Sequence, residues 1–69
     1  MLTLDEFLGR VKAQGSMTKH GIRTPWESCT AYQRHQAVAR AADEYRQDEL
    51  ISSKTRVAAV NWAEENCAE

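Results

Sequence analysis

Apolar residues recur along this chain at helical spacing in three stretches, and the first is the most compact. Leu4, Phe7, Leu8 and Val11 stand at i, i+3, i+4 and i+7, which lays one apolar face along a helix. The residues around it mark its start. Thr3 and Glu6 form a T-x-x-E capping box, Asp5 and Glu6 suit the positive end of the helix dipole, and Leu2 with Phe7 has the spacing of a hydrophobic staple. Arg10 and Lys12 follow, and Gly15 is placed to terminate, so the predicted first helix covers residues 4–14.

The stretch Thr30 to Leu50 contains no Gly or Pro and holds five of the ten alanines. Thr30 and Gln33 make a second box, T-x-x-Q, and Ala31, Val38, Ala42 and Tyr45 form an apolar stripe that also carries His35. An alanine-rich stripe buries little area per residue but lets another helix approach closely. The predicted second helix covers residues 30–50. Arg34, Arg40 and Arg46 step by six residues, about 600° of turn, so they scatter around the axis as a solvated face. Asp43, Glu44, Asp48 and Glu49 crowd the C-terminal half, where the dipole disfavours acids. Either those acids have a use, or the helix runs on.

Beyond Leu50, Ser52 or Ser53 can cap a third helix over residues 54–66, although no Gly or Pro enforces a break and one continuous helix is an alternative. Val57, Val60, Ala63 and Cys67 would share one side of it, with Ala59 and Trp62 beside them. The tail from Asn66 is expected to fray.

Residues 15–29 hold Gly15, Gly21 and Pro25 and are expected to form a loop. Thr24, Pro25 and Glu27 offer a helix start that competes with Thr30. Either the long helix begins at Pro25, or a single turn over 25–29 leads into it at a bend. The loop also places Met17, Ile22 and Trp26 among Lys19, His20 and Arg23, and Trp and Arg are enriched at binding hot spots. Ile22 and Trp26 could equally fold inward over a thin core.

Sixty-nine residues suggest one helical domain, 1–69, with a marginal core. The expected fold class is all-α. Two cysteines, Cys29 and Cys67, give no disulfide framework and fit a reduced cytoplasmic protein, so a twofold homodimer is the expected source of added stability. No run reaches the length of a membrane span, and Asp5 and Glu6 do not suit a signal peptide, so no membrane association is expected. The net charge of −1 hides an asymmetry: residues 10–40 carry six basic side chains against one acid, and residues 41–69 carry seven acids against three bases. Such a dipolar chain can pair with itself or offer one end to a charged partner.

Candidate chemistry is sparse. His20, His35, Cys29 and Cys67 lack the tight spacing of a zinc site, and Cys29 with His35 six residues on does not share a helix face. There is no phosphate-binding loop, no dinucleotide fingerprint and no repeat. Neither catalysis, metal nor cofactor is expected. A small helical DNA-binding regulator using Arg23, Arg34 and Arg40 is the alternative; the long second helix, the scattered arginines and the slightly negative net charge weigh against it. A structural or assembly subunit is a third possibility.

The 69-residue length, the opening MLTLDEFLGR and the Ala/Arg-rich helix QAVARAADEYR resemble small early proteins of Pseudomonas phages that disarm host functions by binding them. Among these the chain is similar to the quorum-sensing anti-activators of Mu-like Pseudomonas phages. The resemblance implies a non-enzymatic inhibitor in the host cytoplasm. Its target would be the DNA-binding domain of a LuxR-type transcriptional activator, with a pilus-assembly ATPase as a second. No motif carries functional residues across. The site expected from the residues themselves pairs the acids Asp43, Glu44, Asp48 and Glu49, as mimics of phosphate charge, with an anchor of Ile22, Arg23 and Trp26.

Overall fold

The computed structural model describes residues 1–17 and 20–67. Helix α1 spans Leu4–Gln14, α2 spans Ala31–Gln47 and α3 spans Ser53–Asn66. Between α1 and α2 the chain forms a two-stranded antiparallel ribbon, β1 (Ser16–Met17) and β2 (Arg23–Thr24), followed by a 3-10 turn at Trp26–Ser28. Ser16 faces Thr24 and Met17 faces Arg23. The mostly helical expectation holds; the ribbon inside the expected loop is an addition to it. Lys19, named with that loop, and the last two residues of the expected fraying tail lie outside the described residues.

Both capping boxes form. Thr3 Oγ1 accepts from the Glu6 N–H at 3.2 Å while Glu6 Oε1 accepts from the Thr3 N–H at 3.0 Å. Thr30 and Gln33 repeat the pattern at 3.1 and 2.8 Å. Each box satisfies donors that the first helical turn leaves unpaired. Of the two competing starts Thr30 takes α2, and the residues after Pro25 make one separate turn, closed by the Ser28 N–H on the Pro25 carbonyl. Gly15 ends α1 at φ 70, and a Cβ there would collide with the Thr24 carbonyl oxygen. Glycine is therefore required where the chain leaves α1 for the ribbon.

α2 stops at Gln47, three residues short of the expected end. Asp48 caps it, Glu49 takes φ 60, and the Leu50 N–H bonds back to the Tyr45 carbonyl at 2.8 Å. The reversal is worth making because it carries Ile51 into the core with no exposed surface. Ser52 then accepts from the Thr55 N–H and starts α3, so the second and third helices are separate. The Leu2 N–H bonds the Leu50 carbonyl at 2.9 Å and ties the chain start to this corner.

The core joins Phe7, Leu8 and Val11 of α1, Val38 and Ala42 of α2, Ile51, Ala59 and Ala63 of α3, and Cys67 just past its end. The Tyr45 ring meets Phe7 edge-on, 5.1 Å between centroids. Alanine at 42, 59 and 63 brings α2 and α3 close together, as the stripe implied. Val57 departs from expectation: it is 50% exposed. Ala59 and Ala63 set the phase of α3, and Val57, two residues before Ala59, is turned about 200° away from it. Both cysteines are free thiols. Among the described residues no helix is long and apolar enough to cross a membrane.

Candidate functional site

The four acids singled out from the sequence gather where α2 hands over to α3. Asp43 and Glu44 lie in the last turns of α2, and Asp48 and Glu49 form the reversal beyond it; all four are exposed. Asp43, Glu44 and Glu49 line an open depression of about 640 Å³ together with Arg46, Ser53 and Arg56. Asp48 is outside its lining.

The depression is not purely acidic. Arg56 Nη1 donates to Asp43 Oδ1 at 3.3 Å, an ion pair between α3 and α2. Arg46 Nε donates to Ser53 Oγ at 2.8 Å. Asp43 is thus tied to its own fold, and Glu44, Asp48 and Glu49 remain as the outward carboxylates. Glu49 holds a left-handed backbone conformation that side chains other than Gly, Asn and Asp seldom take. Backbone held this way is kept by the structure around it, here the burial of Ile51 on one side and the cap of α2 on the other.

The expected anchor divides. Trp26 is half-buried and joins the rim of the core, while Ile22 is 64% exposed and Arg23 is exposed on β2. The Trp26 ring lies 6.5 Å from that of Trp62, tilted by 31°. Cations cover the pair: Lys12 Nζ sits 5.1 Å from the Trp62 ring, and the Arg34 guanidinium 5.2 Å from Trp26. Arg34 Nε also donates to the Trp26 carbonyl oxygen at 2.9 Å. Arg34, expected as a solvated side chain, instead fastens the 3-10 turn to α2. Cys67 is buried beside this group, and burial pushes its thiol up against the opposing pull of Arg34 and Lys12. Trp26 and the acids do not adjoin: from Arg34 to Gln47 α2 rises roughly 20 Å.

A second hollow, about 320 Å³, runs between β1 and α2. Val11, Ala37 and Ala41 line it with Met17, and Arg40 and Glu44 stand along the α2 side. Glu44 borders both hollows. Sequence reading missed this groove, because two-residue strands are too short to announce which residues they bring beside α2. The signal that was present is Arg40 followed by Glu44 one turn on.

Among the described residues no group of three or more His, Cys, Asp and Glu gathers to hold a metal ion. The fold and these surfaces define a small three-helix domain with a β-ribbon insert. Compared with protein families, curated proteins and solved structures, the chain matches none.

Proposed function

We propose that this protein is a non-enzymatic inhibitor that works by stoichiometric contact with another protein, as a homodimer in the host cytoplasm. The target that fits best is the DNA-binding domain of a LuxR-type activator, whose basic DNA-contacting surface would meet the carboxylates at the α2–α3 corner; a pilus-assembly ATPase is the second candidate. The observation that carries this reading is the outward set Glu44, Asp48 and Glu49, fixed on a cap and a strained reversal rather than on a loose tail. A partner meeting carboxylates carried on backbone that is already fixed loses less loop freedom on binding. Ile22, just before β2, and Arg23 on it are the remaining exposed members of the anchor, while Trp26 belongs to the core rim.

The DNA-binding alternative draws less support, since Arg34 is occupied by the Trp26 ring and carbonyl. Titration of a purified LuxR-type DNA-binding domain by calorimetry tests the proposal. Asp48→Lys with Glu49→Lys should weaken binding by about tenfold or more, each tenfold being 1.4 kcal/mol. Binding that survives both reversals removes the acidic corner from the proposal.

A further inference from the structure

One face of α2 carries charges placed to meet their own image. Gln33, Ala37, Arg40, Glu44 and Gln47 follow one another at alternating steps of four and three, which makes a single seam along the helix. Arg40 and Glu44 are both exposed. Although one turn apart, they form no ion pair with each other or with another described residue. Small side chains at Ala37 and Ala41 keep the groove beside them open to close approach, and Met17 on the opposite wall is 53% exposed.

We infer that this seam seats a second copy of the chain, the two α2 helices running antiparallel about a twofold axis level with Ala42. Such an axis exchanges the residue two before Ala42 with the residue two after it. Arg40 of each copy then meets Glu44 of the other, and the same contact occurs twice, as an isologous interface demands. Ala37 lies opposite Gln47, so a small residue faces a longer one. A parallel crossing would instead set Arg40 on Arg40 and Glu44 on Glu44, and like charges in register disfavour it. Charge therefore selects the antiparallel pair. Pairing takes Glu44 out of the set of acids offered to the target; Asp48 and Glu49 lie past the last residue of the seam, in the reversal, and stay outward in the dimer.

The inference rests on the homodimer proposed above and assigns its face. Sedimentation equilibrium of the full chain tests it, with circular dichroism to confirm that each variant keeps its helices. Wild type should sediment as two chains. Arg40→Glu alone and Glu44→Arg alone should each weaken pairing by about tenfold or more. Mixing those two variants should restore pairs, because every reversed charge then faces its opposite. Pairing that survives either reversal overturns the seam while leaving a homodimer in place by another face, and a mixture that stays as single chains of 7.8 kDa overturns the reciprocal Arg40–Glu44 pairing. Wild type that remains single throughout overturns the homodimer itself.

Discussion

Glu49 shows at a single residue how this fold trades local comfort for burial. A left-handed backbone costs a side chain bearing a Cβ roughly 1–2 kcal/mol, and the return is Ile51 in the core. Glu49→Gly should therefore stabilise the protein by about 0.5–1 kcal/mol, net of glycine's greater freedom when unfolded. The thermal midpoint should rise by several degrees; an unchanged or lower midpoint would contradict the strain. Glu6 gives a pH signature. The Thr3 backbone N–H, then the Thr3 side chain, holds its carboxyl below the ordinary glutamate value of 4.5. A carboxyl lowered in the folded state adds stability above the unfolded value and loses it as pH falls through the folded one. The stability gap between wild type and Glu6→Gln should thus be widest above pH 4.5 and close below it. The Thr3–Glu6 box was legible in the sequence because capping is local. The conformation of Glu49 was not, since it answers to the burial of a residue two positions on.

Among the elements, α1 and the start of α2 were readable from apolar period and capping residues, and both kept their expected bounds to within a residue. The far end of α2 was overread. Gln47 to Leu50 contains no helix breaker, and only the demand to bury Ile51 forces the reversal. Val57 was misplaced for a related reason: α3 offers more apolar positions than one face can bury, and contact with α2 chose Ala59 and Ala63. Two of the contacts that tie elements together should differ in strength. Asp43→Asn removes an ion pair whose side chains are 73% and 40% exposed, so the loss should stay under about 1 kcal/mol. Trp26→Ala strips the Trp62 contact and the Arg34 stacking together. It should cost about 2–4 kcal/mol, seen as a lower urea midpoint. Equal effects would mean that the ring stack contributes little.

At the scale of the molecule, a thin core and a divided charge pattern point the same way. The basic side chains of the first half include Lys12 and Arg34, which are held over indole rings, whereas Glu44, Asp48 and Glu49 of the second half stay outward. Charge asymmetry was plain in the sequence; which charges the fold would occupy was not, because Lys12 meets Trp62 only after three helices assemble. The acids were identified from their position on the wrong end of a helix, and they do collect at one corner, with Asp43 bound to Arg56. The proposed role requires this corner to compete for a basic protein surface. Its most direct test is displacement of labelled promoter DNA from a LuxR-type DNA-binding domain, followed by fluorescence anisotropy at fixed salt. Wild type should release the DNA at near-stoichiometric ratio, and the Asp48→Lys, Glu49→Lys variant should need about tenfold more. DNA that stays bound at any excess of wild type, or equal release by the charge-reversed variant, would contradict it.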